Sequence, residues 1–400
     1  MHLDRLSLTH FRNYARLEGS LPRGSLLLHG SNAQGKTSLL ESIYYLATAH
    51  SPWASSDRQL LNWQAERDPL AFVRVAADVI SDKPGAVRTQ LDVTLAHDQP
   101  DASARLKKTI RINGVNKRAV DLLGTVNVVL FVPQDLALIE GTPSDRRRYL
   151  NITLSQTDIN YARTLHTFEK ALEQRNALLR RIQLRQESPR SLEYWDDQFS
   201  DASGVLISGR QRLLRELEGA AQLVHRDLTD DVEQLDLHYQ PSFSPTATTS
   251  GQLSFDAPGL DLHRQLDPRQ VADQFRAALK TGRANDIARG LTLIGPQRDE
   301  LRFQINGRDL GLYGSRGQSR TAVLALKLAE LDWMRRQIGE WPILLLDEFL
   351  AELDAHRRAY LLARIDGAAQ SILTTTEPDI FTPEFLHKAT LWHIRAGRIV

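Results

Sequence analysis

Short runs of apolar residues, many of them β-branched, alternate with polar positions through the first 135 residues. Period-two alternation that breaks at turn residues predicts strands. The predicted strands are Leu3–Leu8, Ser25–His29, Phe72–Ile80, Val87–Ala96, Thr109–Ile112 and Val126–Val132. Asn113-Gly114 is typical of a two-residue hairpin turn. Only one early stretch, Ser38–Leu46, has a helical pattern, so we expect a mixed β platform.

From about Ser144 the apolar residues recur at helical intervals, which places them on one helix face. The first run contains Leu165, Phe168, Leu172, Leu179 and Ile182, and the second contains Leu192, Trp195, Phe199, Leu206, Leu213 and Leu217. Between the runs, Glu187-Ser188-Pro189 predicts a turn. The pattern therefore predicts a helical hairpin whose first helix covers about residues 151–186.

Residues 241–268 are rich in Pro, Ser, Thr and Gly, a composition that predicts a surface linker. A short helix is expected at Arg269–Thr281. From Leu291 onward, strand and helix patterns resume in the style of the N-terminal third.

Composition places the chain among ordinary globular proteins, since 42% of its residues are hydrophobic and 25% are charged. It contains no cysteine, which excludes a disulfide framework and any thiolate-ligated metal site. Residues Met1–Arg5 lack the charge pattern of a secretory signal, and no apolar run reaches the ~18 residues of a membrane span. We therefore expect a soluble, cytoplasmic protein without a membrane partner.

The formal net charge is only +1, so contact with nucleic acid would depend on local basic patches. Two groups of basic residues stand out: Arg105, Lys107, Lys108, Arg111, Lys117 and Arg118, and then Arg175, Arg180, Arg181, Arg185 and Arg190. Each group is equally compatible with an ordinary solvated face.

The strand Ser25–His29 runs directly into a G-x-x-x-x-G-K-T motif, which the helical stretch Ser38–Leu46 follows. The motif consists of Gly30, Ser31, Asn32, Ala33, Gln34, Gly35, Lys36 and Thr37. In this context backbone N–H groups cradle phosphates, Lys36 reaches the β- and γ-phosphates and Thr37 binds Mg²⁺. The sequence therefore predicts a site for ATP and Mg²⁺.

A buried strand is predicted at Ile343–Leu346, and two carboxylates, Asp347 and Glu348, follow it. At the strand end beside a P-loop, Asp347 is expected to hold Mg²⁺ and Glu348 to polarise the attacking water. Together with Lys36 these two acids form the predicted catalytic group.

A turn rich in Ser and Gly, Tyr313–Gln318, opens a strongly helical stretch that starts at Thr321. Such a start is either a simple helix N-cap or an anion site. Its place some thirty residues before the acidic strand end resembles the signature motif of ABC-type ATPases. In that superfamily the signature of one subunit covers the γ-phosphate held by the other, so the resemblance implies an ATP-dependent homodimer.

The motifs taken together are Leu6–Tyr14, the P-loop, Pro143–Leu150, Gly295–Asp299 and the block from the signature to Asp354. In this order, over essentially the whole chain, they resemble the RecF family of recombination-repair proteins. The resemblance implies that Gln134 senses the nucleotide and its Mg²⁺, and that Ser315, Gly317 and Gln318 form a signature acting in trans. It further implies that Asp354 contacts the dimer partner and that Arg12 and Asn13 lie near the nucleotide.

The resemblance also implies a weak, DNA-stimulated ATPase that clamps duplex or gapped DNA, helps load recombinase at single-strand gaps and lets go on hydrolysis. RecR and RecO are the implied partners. Three positions depart from the expected patterns. Arg316 replaces the small residue of the general signature, and Gln297 stands where the family is expected to have His. Thr374-Thr375-Thr376 stands where transporter ATPases keep a switch histidine. These departures suggest slow turnover.

Lys36 and Asp347 are 311 positions apart, and an inserted subdomain is needed to bring them together. We therefore expect an α/β, ABC-type P-loop ATPase head assembled from residues 1–135 and 290–400. A mainly helical lid is expected at residues 136–289. Two other functions remain open: the motor of a membrane transporter, and a structural DNA tether with little hydrolysis, against which Glu348 argues.

Overall fold

A computed structural model describes residues 1–65, 71–97, 106–243, 262 and 266–400. The chain forms two compact units, the first made of Met1–Asp135 with Glu330–Val400 and the second of Leu136–Ala329. Residues 290–329 thus belong to the second unit. No helix in the described ranges is both long and apolar enough to cross a membrane.

The strands in chain order are β1 (His2–Phe11), β2 (Tyr14–Ser20), β3 (Gly24–His29), β4 (Phe72–Ile80), β5 (Thr89–His97), β6 (Leu106–Ile112), β7 (Val115–Lys117), β8 (Val128–Phe131), β9 (Leu235–Gln240), β10 (Glu300–Ile305), β11 (Arg308–Asp309), β12 (Ile343–Asp347), β13 (Gln370–Thr375), β14 (Thr390–Arg395) and β15 (Arg398–Ile399). The helices are α1 (Lys36–Thr48), α2 (Ala119–Leu122), α3 (Ala137–Glu140), α4 (Pro143–Thr157), α5 (Ile159–Gln183), α6 (Glu193–Leu228), α7 (Pro268–Arg289), α8 (Leu310–Tyr313), α9 (Arg316–Ile338), α10 (Ala355–Ile365) and α11 (Pro383–Lys388).

The first unit contains two sheets with α1 packed against strands of both. One sheet has the order β15-β14-β3-β13-β12-β8, and all its pairs are parallel except β14 with β15. Its central strands β12 and β13 are buried along their whole length, as expected of a parallel sheet covered on both faces. The other sheet is antiparallel, with the order β2-β1-β4-β5-β6-β7.

The predicted hairpin at Asn113-Gly114 is confirmed. Both residues have positive φ, 51° and 77°, and Ile112 pairs with Val115 across the two-residue turn. A turn of this kind matches the right-handed twist of the flanking strands, and Gly tolerates its backbone without strain.

The second unit is mainly helical, with a small sheet of order β11-β10-β9. Helices α5 and α6 pack against each other, which confirms the predicted helical hairpin, and α7 packs against both. The rings of Phe168, Phe199 and Phe275 lie in its core, with centroids 5.1 and 5.6 Å apart from Phe168 to Phe199 and from Phe199 to Phe275.

One continuous helix over residues 151–186 was the wrong expectation. The chain leaves the helical conformation at Asp158, whose φ and ψ are −133° and 101°. Its carboxylate accepts hydrogen bonds from the N–H groups of Asn160 and Tyr161, so it ends α4 and caps α5. The apolar period continues across this break, and periodicity alone therefore did not reveal it.

Helix α7 is longer than the predicted Arg269–Thr281. It begins after the N-cap Asp267 and ends at Arg289, and the next residue, Gly290, has a φ of 62° that suits a helix C-cap. Most of the predicted linker at 241–268 lies outside the described residues.

The second basic group, Arg175 to Arg190, was left open between a solvated face and a functional patch, and for Arg175 neither holds, because its side chain is fully buried. Its guanidinium contacts Asp196 at 2.7 Å, Asp286 at 2.8 Å and the Thr292 hydroxyl at 2.7 Å. Carboxylates distant in sequence therefore hold this charge in the core, as buried charges require.

Candidate nucleotide-binding site

The P-loop connects β3 to α1, as the motif requires. Gly30 and Gly35 have φ of 141° and 116°, a region that favours glycine. A Cβ on Gly30 would lie 2.5 Å from the Ile394 carbonyl oxygen, so this position also needs glycine for space. Between them, Ser31, Asn32 and Ala33 are exposed.

Lys36 is buried at the first position of α1, with 4% of its surface exposed. Its ammonium donates to the carbonyl oxygens of Gly30 and Ser31, at 2.7 and 3.1 Å. It also forms an ion pair of 3.2 Å with Glu348. The lysine therefore lies inside the curve of the loop, next to one of the predicted catalytic acids.

Thr37 and Asp347 meet, although they are 310 positions apart. The Thr37 hydroxyl donates to Asp347 Oδ1 at 2.9 Å, and the Thr374 hydroxyl donates to the same oxygen at 2.8 Å. Parallel pairing of β12 with β13 brings Asp347 and Thr374 side by side. The sheet thus places the acidic strand end against the P-loop helix.

Burial raises the pKa of Asp347, and the neighbouring Glu348 raises it further, whereas the two threonine hydroxyls lower it. Glu348 has a φ of 50° and its N–H donates to the Thr374 hydroxyl at 2.9 Å. Thr374 therefore contacts both acids of the predicted catalytic group.

Gln134 lies in the turn Pro133–Leu136, directly after β8. Strand β8 pairs in parallel with β12, with Phe131 opposite Leu346. Gln134 therefore follows β8 and Asp347 ends the neighbouring β12 at the same edge of the sheet, where Gln134 is exposed.

Arg12 and Asn13 form the turn between β1 and β2. The Arg12 guanidinium forms a bidentate pair with Glu41 of α1, at 2.7 and 2.8 Å. The amide of Asn13 lies beside Gly35, within 2.7 Å of the place a Cβ would take. Asn13 thus borders the P-loop, while Arg12 fastens this turn to the helix that follows the loop.

The signature residues lie at the start of α9, in the second unit. Ser315 and Gln318 form a reciprocal pair, since Gln318 N–H donates to Ser315 Oγ at 3.2 Å and Ser315 N–H donates to Gln318 Oε1 at 2.9 Å. The Gln318 amide also donates to Glu233 at 2.8 Å. Ser315 and Gly317 are exposed, so the N-terminus of this long helix faces solvent in the isolated chain.

Asp354 is the N-cap of α10 and accepts a hydrogen bond of 2.9 Å from the Arg357 N–H. That hydrogen bond, together with the Arg357 side chain, lowers the pKa of Asp354. About half of its side chain is exposed, which leaves it accessible to a second molecule.

Sequence reasoning did not assign Thr374 or Tyr14 to the site. The Tyr14 hydroxyl donates to the Gly35 carbonyl at 3.0 Å, and burial raises the pKa of this phenol. Thr374 stood in a recognised position, but its contact with Asp347 depends on strand pairing that no local pattern shows.

A family model described as the RecF/RecN/SMC N terminal domain matches residues 2–388. The DNA replication and repair protein RecF of Chloroflexus aurantiacus is 41% identical over 407 residues, which cover 100% of this chain and 99% of that protein. The protein of the same name from Bacillus subtilis is 33% identical over 402 residues, covering 100% of both.

Solved structures give the same assignment. The structure of the recombination mediator protein RecF-ATPrS in the RecFOR pathway matches with a TM-score of 0.84 and 26% identity, covering 100% of this chain and 97% of that one. The Smc head domain from Pyrococcus furiosus matches with a TM-score of 0.52 and 15% identity over 100% of this chain and 96% of that one, a likeness of fold alone. These matches confirm the predicted α/β, ABC-type ATPase fold.

Proposed function

The chain belongs to the RecF family, and we propose that it is an ATP-dependent DNA-binding protein of recombinational repair and replication restart. One observation carries the proposal: Lys36 and Thr37 contact Glu348 and Asp347 at one edge of the parallel sheet. This arrangement suits a bound nucleoside triphosphate whose γ-phosphoryl group is transferred to water.

The donor set fits Mg²⁺, since the Thr37 hydroxyl and the Asp347 carboxylate are hard oxygen ligands that already lie 2.9 Å apart. They would hold the ion, Asp347 through water, with Gln134 contributing from the neighbouring strand end. When bound, Mg²⁺ neutralises charge on the phosphate oxygens.

Glu348 polarises the attacking water in this proposal. Its backbone N–H is fixed by Thr374, and its carboxylate lies 3.2 Å from the lysine that reaches the phosphates. The segment Thr374-Thr375-Thr376 stands where transporter ATPases keep a switch histidine, and a threonine hydroxyl cannot act as an imidazole would. We therefore propose a weak ATPase that DNA stimulates.

The signature is proposed to act in trans within an ATP-dependent homodimer. A Cβ on Gly317 would meet only the Ser315 hydroxyl, at 3.8 Å, so the described residues of this chain leave room for a side chain there. Packing within one chain therefore does not require glycine at this position. A glycine here would instead allow a phosphate bound to a second copy to approach the backbone closely. The exposed N-terminus of α9 would attract that anion. Asp354 would contact the partner copy.

We further propose that the two closed heads clamp duplex or gapped DNA, help load recombinase at single-strand gaps and part on hydrolysis. Support comes from the relatives, whose names describe DNA replication and repair and a recombination mediator in the RecFOR pathway. RecR and RecO are the proposed protein partners, and the cytoplasm is the proposed compartment.

Fluorescence anisotropy of labelled DNA tests this function. The protein is titrated onto duplex, gapped and single-stranded oligonucleotides with Mg²⁺ and either ATP or ADP. We expect tighter binding to the duplex and gapped DNA with ATP than with ADP. Equal, nucleotide-independent affinity for all three DNAs, or none at all, would contradict the proposal.

A further inference from the structure

Strands β14 and β15 form a hairpin with the two-residue turn Ala396-Gly397, which none of the roles above uses. Both turn residues have positive φ, 48° and 69°, and Arg395 pairs with Arg398 across the turn. Strand β14 also pairs in parallel with β3, the strand that leads into the P-loop. The hairpin is therefore attached to the sheet directly beside the nucleotide site.

Both backbone N–H groups of the turn donate to one P-loop residue. Ala396 N–H donates to Gln34 Oε1 at 2.8 Å, and Gly397 N–H donates to the Gln34 carbonyl at 2.9 Å. The side chain and the backbone of Gln34 are thus fixed together.

The hairpin also contacts the beginning of the loop. The Ile394 carbonyl lies so close to Gly30 that a Cβ there would approach it within 2.5 Å. Beside this contact the rings of His29 and His393 stack, with centroids 5.0 Å apart. The hairpin therefore contacts the P-loop at its first residue, Gly30, and again at Gln34.

The β1–β2 turn links the hairpin to the P-loop by a further set of contacts. A Cβ on Gly397 would lie 2.4 Å from the Asn13 carbonyl oxygen, so the two turns are in close backbone contact. Asn13 and Tyr14 in turn contact Gly35, the Tyr14 hydroxyl donating to its carbonyl at 3.0 Å. A displacement of Gly397 would consequently shift the P-loop both through Gln34 and through the β1–β2 turn.

We propose that the hairpin Thr390–Ile399 holds the phosphate-binding loop in its nucleotide-binding conformation, with Gly397 and Gln34 as positioning residues. The middle of the loop is exposed, and its N–H groups bind phosphate well only if they are aimed before the ligand arrives. The hairpin, which lies outside the P-loop motif, fixes the orientation of these N–H groups. This inference rests on the ATP binding in the proposed function.

The test compares Gly397→Ala with Gly114→Ala. Both glycines occupy the second position of a two-residue hairpin turn with positive φ, 69° and 77°, so alanine meets similar backbone strain in each. A Cβ at Gly114, however, meets nothing within 4 Å. The Kd for a fluorescent ATP analogue and the Tm without nucleotide are measured for both variants and the wild type.

We expect both variants to lose a few degrees of Tm, but only Gly397→Ala to bind ATP more weakly, by roughly tenfold or more, as displacement of a positioning contact implies. Gln34→Met, which removes the acceptor of Ala396 N–H while keeping the side-chain length, should weaken ATP binding with little change in Tm. It provides the test if Gly397→Ala does not fold.

Wild-type ATP affinity in both Gly397→Ala and Gln34→Met, or an equal loss in Gly114→Ala, would overturn the inference. Failure of the wild type itself to bind ATP would instead overturn the proposed function, and the inference with it. The two failures are therefore distinguishable.

Discussion

Several non-glycine residues at the nucleotide site have a left-handed backbone. Arg12, Ala33 and Glu348 have φ of 53°, 62° and 50°. Each costs on the order of 1 kcal/mol and persists only where the surroundings hold it. For Arg12 the ion pair with Glu41 holds the backbone, and for Glu348 the hydrogen bond from its N–H to Thr374 does so. Local strain thus coincides with the residues proposed to act on the nucleotide.

Lys36→Met is predicted to abolish measurable ATP binding and, with it, ATP-stimulated DNA binding. The change removes the buried ammonium group that contacts the carbonyls of Gly30 and Ser31 and the carboxylate of Glu348. Calorimetric titration with ATP measures the first effect, and anisotropy of labelled DNA measures the second. An unchanged ATP affinity would contradict the assignment of the site.

Glu348→Gln is predicted to keep ATP binding and lower turnover by roughly a hundredfold or more, the scale of a lost general base. ATP-bound dimers should then accumulate on DNA. Phosphate release gives the rate, and Glu384→Gln is the control, because Glu384 lies in the first turn of α11 and has no proposed role. Turnover at the wild-type rate would show that the base lies elsewhere.

At the scale of elements, helix α7 helps to hold the buried charge of Arg175 through Asp286. Asp286→Ala is predicted to destabilise the protein by about 3 kcal/mol, because removing one partner leaves a buried cation undercompensated. Urea unfolding measures the change in the free energy of unfolding. Asp273→Ala on the same helix breaks an exposed pair with Arg276 and should cost less than about 1 kcal/mol. Similar losses in both variants would contradict the importance of Asp286 to the buried charge.

The elements that the sequence predicted well are those with a strong local signal. Most predicted strands of the first 135 residues are present, and the P-loop stands between a strand and a helix as its motif requires. Strands β2 and β7 were missed because β2 is mostly polar and β7 has three residues. The break at Asp158 depends on a carboxylate cap that interrupts an otherwise continuous apolar period.

The site was predictable where one motif carries its chemistry and not where distant segments meet. Lys36 and Asp347 follow from motifs, whereas the contacts of Thr374 and Tyr14 arise only when segments distant in sequence meet in the fold. The burial of Arg175 likewise depends on partners on other elements. The domain boundaries at 135 and 290, and the roles of Gln134 and Asp354, stay predictions.

At the scale of the whole molecule, the proposed dimer places Ser315 against the nucleotide of a second copy. Ser315→Arg is predicted to leave ATP binding by the monomer nearly intact, since Lys36 and Thr37 are untouched, yet to abolish the ATP-dependent dimer. The cation would enter a closed interface. Ser315→Ala loses the same N-cap hydrogen bond without the added bulk and should retain more of the dimer.

Mixing Ser315→Arg with Lys36→Met should restore at most one competent site per dimer, the one that pairs an intact P-loop with an intact signature from the other chain. ATP turnover of the mixture, compared with each variant alone, measures this. Loss of ATP affinity in monomeric Ser315→Arg would instead mean that the segment acts in cis or only supports the fold.

Sedimentation velocity of the wild-type chain, with and without ATP and duplex DNA, tests the central claim most directly. ATP should bring two copies together and DNA should sediment with them, because the signature is proposed to complete the site of the other copy. We expect monomers without nucleotide and a dimer bound to DNA when ATP and Mg²⁺ are present. A monomer under every condition, or a dimer indifferent to ATP, would contradict it.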